Sequence, residues 1–538
     1  MKAWQFPGLL IALTLVLRFI PQTDVLTADE VDALSAGAIL ASALESGASL
    51  ASAFETDKEH PRAKALRKGG GHSRGRRAET LTSPLTRWLV GGAMLLGGTS
   101  DLDSARWIAA LAMALSVLMA FFFLVARSGR EKLWLLGLCL FCPAFFEASA
   151  GAGAAAIGSL AITGFLVAMR EIERGRSPLW AGLAWGLCLA VHPAAVWLLI
   201  PLFMVAAKAY RVAEKRGEVG GLREHVRSLD DVPSAGGQLR LPTVPLSLFL
   251  VPVVGLAVLV ALWPTLWTGT GAGTFYWLTE SWREAVPAQE VAGMVFDQAH
   301  GRAPLAWSGL VQWASMLPLA LLVAYLLGVW SAIRGSTSGV WTPILVVGTL
   351  ILAGGINGGL FGGRLSLLSL LLVPTLITAA KGVDSIYESV ARRVTWEARK
   401  TIAVVAVAVF GLAFLQAQVG ATNVGGPNGA ETRIPVPVSV LRHLQEQTGG
   451  PDHRLEVALA GGDTLAKTGR ERWKHAVWTL SRRTDLNVAL RSAARADWLL
   501  VIDAEPVDTP DSAAHVIPDH APEISAEVAG VRWDVYKL

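Results

Sequence analysis

Charge is scarce in this chain: Asp, Glu, Lys and Arg make up 17% of its 538 residues, against 52% hydrophobic. Soluble domains are nearer a quarter charged. Here the apolar residues fall into runs long enough to cross a bilayer, which excludes a soluble enzyme. The same abundance of apolar side chains excludes a disordered chain. Cysteine is almost missing as well. The three present, Cys139, Cys142 and Cys188, all lie inside apolar runs, so a disulfide scaffold is excluded. No His, Cys, Asp and Glu residues show metal-ligand spacing, and neither a metal nor a cofactor is expected. Nucleic-acid motifs are missing too, and membrane topology accounts for the basic loops. The formal net charge of +4 carries little information; the places of the charges carry more.

Apolar runs lie near residues 4–20, 104–126, 133–149, 154–169, 179–191, 194–207, 243–263, 308–333, 340–356, 364–380 and 401–418. By the roughly twenty-residue criterion they predict an all-α polytopic membrane protein with about eleven transmembrane helices. The stretch 179–207 is one long block broken at His192-Pro193 into two arms of a hairpin. A further stretch, 84–98, is short and Gly-rich, and predicts an amphipathic helix on the membrane surface. The first run has no small-residue cleavage site before Asp24, so it is expected as a transmembrane helix with its N-terminus inside rather than a signal peptide.

Alternate loops then carry the basic residues: Arg127, Arg130 and Lys132; Arg170, Arg174 and Arg176; Lys208 to Arg240; Arg334; Lys381 to Lys400. Positive charge marks the cytoplasmic side. The opposite side receives loops 21–103 and 264–306 and everything after 418. Loop 21–103 is itself basic, with Lys58, Arg62, Lys64, Arg67, Lys68, Arg74, Arg76 and Arg77, and long loops translocate regardless of charge. Residues 1–418 thus form the membrane domain, and 419–538 a small outer-face domain. In the latter, Leu455–Ala460 and Asp497–Ile502 read as buried strands, Arg470–Arg483 as an amphipathic helix and Val531–Leu538 as an edge strand, giving a small α/β fold. Gly461-Gly462-Asp463 is a turn and not a phosphate-binding loop, since no GxGxxG or P-loop lysine follows.

Chemistry has one conspicuous candidate. Thr27-Ala28-Asp29-Glu30-Val31-Asp32 follows directly on the first apolar run. Acids at a membrane boundary are expensive, and a carboxylate there can act as general base toward an acceptor hydroxyl or amine. The plainer reading is that Asp29 and Glu30 cap a helix beginning near Val31, since acids favour helix N-termini.

The order of further features resembles a known family, the polytopic lipid-linked-sugar glycosyltransferases. These include the dolichyl-phosphate-mannose protein mannosyltransferases and the aminoarabinose transferases of lipid A. In that family an Asp-Glu pair follows the first span and a His-Pro-Pro-Leu segment lies in the same loop. Here Glu59-His60-Pro61 keeps the His-Pro and Ser83-Pro84-Leu85 keeps the Pro-Leu. Ser104-Ala105-Arg106-Trp107 is similar to the family's Ala-Arg-Leu-Pro segment, and Gly182 to Pro193 to its Gly-Leu…His-Pro hairpin. Trp263-Pro264-Thr265-Leu266-Trp267 resembles a Pro-x-Leu-Trp loop, and Gly363-Arg364-Leu365 to Pro374 an Arg-Tyr-Leu-Leu-Pro element. The family's Tyr is Leu365 here, and Glu147 is the single acid in 147–153.

The resemblance implies transfer of a sugar from a polyprenyl-phosphate donor to a protein, lipid or glycan acceptor at the outer face. It casts Asp29 as base, Glu30 as its orienting neighbour and Arg364 as the donor-phosphate ligand, because guanidinium binds phosphate through two parallel hydrogen bonds. His60, Arg283, Arg302 and Trp267 are the secondary substrate-binding candidates. Short polar loops suit a bacterial inner membrane, with the C-terminal domain in the periplasm. Two alternatives stand beside this: a transporter or lipid flippase, which the many spans and the break at His192-Pro193 suit, and an inactive, divergent homologue of the transferases.

Overall fold

The computed structural model describes residues 5–18, 25–47, 83–97, 102–125, 129–140, 142, 145, 148–149, 154–174, 177–215, 243–263, 310, 313, 317, 319–334, 341–356, 368–391, 433–435, 438–449, 454–461, 488–490, 493–502, 520–528 and 531–538. Within them the protein is mostly helical, with a small sheet at its C-terminal end. The run 401–418 and the helix expected at Arg470–Arg483 lie outside the described residues.

The chain opens with α1 (Gln5–Arg18), then the three-residue strand β1 (Val25–Thr27) and α2 (Ala28–Glu45). Helix α2 starts three residues earlier than the sequence predicts. Its opening, Thr27-Ala28-Asp29-Glu30, has the capping-box pattern, in which a Thr precedes the first turn and a Glu stands at its third position. Next come α3 (Pro84–Gly97) and α4 (Leu102–Met119), the latter prolonged by a π turn over Ala120–Leu124. The Val125 amide closes that turn on the Ala120 carbonyl at 2.9 Å. Helices α5 (Gly129–Leu140) and α6 (Ala154–Glu173) follow. After them α7 (Leu179–Val191) ends at His192, which is extended, and a 3₁₀ segment (Pro193–Leu198) leads into α8 (Leu199–Lys215). The membrane part closes with α9 (Thr243–Leu262), α10 (Leu319–Arg334), α11 (Trp341–Ile356) and α12 (Leu368–Ala391).

Among the described residues three helical stretches are long and apolar enough to cross a membrane: Ala105–Leu124, Ala155–Glu173 and Leu370–Ser389. Shorter apolar stretches lie in α1, α7, α8, α9, α10 and α11. Helix α6 sits at the centre, with Ala156, Ile157, Ile162, Phe165, Leu166 and Met169 all buried. The periphery is apolar too. Leu133, Trp180, Val253, Leu319 and Ile333 are each more than half exposed. Large outward-facing apolar side chains on this scale mark a surface that meets lipid rather than water, so the bundle is membrane-associated.

Three contacts establish which helix ends lie together. The Arg170 guanidinium donates to the Leu124 carbonyl, the Thr342 hydroxyl donates to Glu173 at 3.1 Å, and the Lys381 ammonium donates to Glu131. The ends of α4, α6 and α12 therefore share one side of the bundle with the starts of α5 and α11. That is the side carrying the basic loops.

The C-terminal sheet combines β3 (Leu455–Gly461), β4 (Val488–Leu490), β5 (Trp498–Ile502), β6 (Ile524–Val528) and β7 (Val531–Lys537) in the order β4-β3-β5-β7-β6. Strands β3, β4 and β5 are parallel; β7 is antiparallel to both β5 and β6. The expected strands at 455–460 and 497–502 are thus present. The third, however, is an inner strand and not an edge. Its alternation misleads because Asp534, the polar position, is buried: it accepts from Ser525 and pairs with Arg532 at 3.2 Å. Helix α13 (Val438–Thr448) packs against β3. Ahead of it, β2 (Arg433–Pro435) leaves this region and pairs antiparallel with β1.

Candidate functional site

Asp29 and Glu30 occupy the first turn of α2, immediately after the β1–β2 ladder. Their side chains, and the whole of His60, Trp267, Arg283, Arg302 and Arg364, lie outside the described residues. What the structure adds is the frame around the acidic pair.

Helix α2 is rich in Ala and Leu and packs directly on α3 through two glycines. A Cβ at Gly37 would lie 2.6 Å from a Val90 methyl, and one at Gly91 would lie 2.8 Å from the Gly37 carbonyl. The two backbones therefore touch, and no larger residue fits at either point. Helix α3 is in turn fixed at its start. Ser83 precedes Pro84 at the first helical position, a residue order that favours initiation. The Ser83 hydroxyl donates to Thr86 Oγ1 at 2.6 Å and accepts from the Thr86 amide at 3.3 Å. The Trp88 indole donates to the Leu262 carbonyl at 2.9 Å. That bond ties α3 to the end of α9, from which the loop containing Trp267, Arg283 and Arg302 departs.

Two arginines are buried in this part of the bundle. Arg87 on α3 is 3% exposed and Arg106, one turn into α4, is 7% exposed. A guanidinium is almost never fully buried without partners or a role, because removing its charge from water is costly. Both make contacts in the structure. Ser83, Thr86, Ser149, Ser159 and His192 are buried as well. His192 has a clear local duty: its Nδ1 accepts from the Ala194 amide at 3.0 Å, which places the ring proton on Nε2 and caps the 3₁₀ segment. Across the same turn the Trp185 indole donates to the Ala195 carbonyl at 2.7 Å, tying α7 to the 3₁₀ segment.

A second polar group sits at the opposite end. Glu131 is 5% exposed and Asp384 2% exposed. Glu131 accepts from Lys381; Arg130 reaches Asp384 at 3.6 Å and Glu388 at 2.9 Å, and its guanidinium lies over the Tyr387 ring. These ion pairs join α5 to α12 as a strut. Among the described residues no three His, Cys, Asp or Glu side chains converge as a metal would require. Cys139, Cys142 and Cys188 are buried free thiols.

In the sequence Arg87 and Arg106 stand only as members of the segments Ser83–Trp88 and Ser104–Trp107, and neither is a candidate by itself. A signal for Arg106 was present, since an ionisable residue inside an apolar run marks function by default. Arg87 stands in the stretch 84–98 that the sequence puts on the membrane surface, and its burial follows from α2 covering α3. No protein-family model matches the chain, and comparison with curated proteins and with solved structures likewise gives no significant match.

Proposed function

We propose that the chain is a polytopic glycosyltransferase of the lipid-linked-sugar type, with about eleven transmembrane helices, working at the outer face of a bacterial inner membrane. One observation carries the reading. An acidic pair opens the helix that follows the first apolar helix, and that helix is packed without a gap on α3, which bears the buried Arg87. An acid for the acceptor and a cation for a phosphate are thereby held on adjoining helices.

The donor's polyprenyl chain stays in the bilayer while its phosphate and sugar sit at the boundary. The acceptor oxygen forms a bond to the anomeric carbon as the carbon–phosphate oxygen bond breaks. Its proton passes to Asp29, and polyprenyl phosphate leaves carrying negative charge. Arg364, with Arg87 and Arg106 beside it in chemistry, is suited to receive that charge; preorganised cations stabilise developing charge strongly where water is excluded. Glu30 stands three residues after Thr27, the capping-box spacing, and is assigned the role of orienting neighbour to Asp29.

The break at His192 also bears on the carrier alternative. Broken helices of carriers interrupt a span near the midplane. His192 caps the 3₁₀ segment that follows α7, a local duty that accounts for the break without a transported substrate.

The test is sugar transfer from a synthetic polyprenyl-phosphate donor by the full chain in proteoliposomes. Asp29→Asn is expected to lower the rate on the order of 100- to 10,000-fold, the usual contribution of a general base, with normal expression and donor binding. Undiminished transfer by that variant would remove Asp29 from the mechanism.

A further inference from the structure

We propose that the C-terminal region completes the acidic site by supplying Arg433 as a positioning residue for Asp29 and Glu30, an inference that rests on the transfer reaction proposed above. Three acids, Asp29, Glu30 and Asp32, stand in the opening of α2, yet between Arg18 and Lys58 the chain has no basic residue. Like charges crowded at a membrane boundary require a counter-charge, and their own segment offers none. Strand β2 provides one by backbone placement. Its register sets Val25 against Pro435, Leu26 against Ile434 and Thr27 against Arg433. Thr27 is the residue before α2, so Arg433 is stationed at the first turn that contains the acidic pair. Between Lys400 and Arg442 it is the single basic residue; the one cation of that long stretch stands at this register position.

The proline sharpens the geometry. Pro435 has no amide proton, so it cannot take part in a pair that exchanges two hydrogen bonds. In an antiparallel ladder the two kinds of pair alternate. Leu26 and Ile434 must therefore be the hydrogen-bonded pair, and Thr27 and Arg433 a non-bonded pair, the closer kind, with Cα atoms about 4.5 Å apart. A two-stranded ladder this short is marginal by itself. It persists here between segments far apart in sequence, on the one side the acidic helix and on the other the small C-terminal domain. Arginine suits the task because its fork can hold a carboxylate in a fixed plane through two hydrogen bonds.

Placement and role are tested separately, in the full chain. The pair Thr27→Cys with Arg433→Cys is expected to form a disulfide on mild oxidation, since about 4.5 Å lies within the bridging range; failure to cross-link overturns the placement. For the role, Arg433→Ala is expected to lower kcat on the order of 10- to 100-fold, as a misplaced catalytic group does, with KM for the donor unchanged. Arg433→Lys should restore part of kcat. Ile434→Pro, which removes a ladder amide and leaves Arg433 in the chain, should match the alanine variant. An active wild type with an equally active Arg433→Ala overturns the positioning role alone. Cross-linking of the double-cysteine variant together with a wild type that transfers no sugar overturns the reaction, and the role with it.

Discussion

Glu131 and Lys381 meet in the interior, and each would be costly there without the other. The effective penalty for taking one ion out of water is several kcal/mol, and removing one member of a buried pair strands its partner. Lys381→Met takes from the buried Glu131 the ammonium that pairs with it. The expected cost is about 3 kcal/mol of stability, read as an earlier thermal transition in detergent. Adding Glu131→Leu should recover most of it, because two apolar residues of similar size can replace a buried pair at little cost. A double variant as unstable as the single one would show that the pair is not the source of the loss. The sequence reveals these residues only as marks of sidedness. Arg130, Lys132 and Lys381 count toward the basic loops, but Glu131 and its lysine lie 250 positions apart, and no local pattern announces such a pair. The place of Asp29 and Glu30 at a helix start is legible for the opposite reason, because the capping pattern Thr27-Ala28-Asp29-Glu30 is local in sequence.

Between elements, the tightest approach joins α10 and α12. A Cβ at Gly328 would lie 2.1 Å from the Thr378 carbonyl oxygen, and one at Gly382 would lie 1.9 Å from the Ala324 carbonyl oxygen. Backbone stands in the way in both cases, so no rotamer change relieves the clash. Small residues that let backbones touch are a principal means by which membrane helices associate, since lipid is as apolar as the helix surface. Gly382→Ala is expected to destabilise by about 1–3 kcal/mol through overpacking. Gly164 has open space where its Cβ would be, and Gly164→Ala should be neutral or gain up to about 1 kcal/mol from helix propensity. Equal melting of the two variants would show that the α10–α12 contact is loose. Helices of this kind are readable from apolar runs, and α1, α4, α6, α7, α9 and α11 fall close to the runs that predict them. Their packing is not readable, because the runs are apolar all round and carry no preferred face. The β1–β2 ladder escapes for another reason: three residues are too few for a period-2 pattern, and the pairing crosses nearly the whole chain.

The molecule as a whole has two distinguishable ends, and function depends on which faces out. The ends of α4, α6 and α12 gather with the starts of α5 and α11, among Arg130, Arg170, Glu131 and Lys381. The β1–β2 ladder belongs to the segment that follows α1 and to the segment that follows the run 401–418. For those two segments to pair, the chain between them must cross the membrane an even number of times, and about ten apolar runs lie there. By the basic-loop rule, the ladder, the acidic pair and the C-terminal sheet are expected together on the outer side. Impermeant maleimide labelling of single cysteines checks this, with little background from three buried native thiols. Lys537→Cys, exposed at the end of β7, should label in intact cells; Ser177→Cys, exposed between α6 and α7, should label only once the membrane is opened. The reverse pattern would put Asp29 on the cytoplasmic side, away from an outward-facing lipid-linked sugar, and the transfer mechanism would fail there. Labelling of both sites from one side would instead break the parity, and with it the pairing of Thr27 with Arg433.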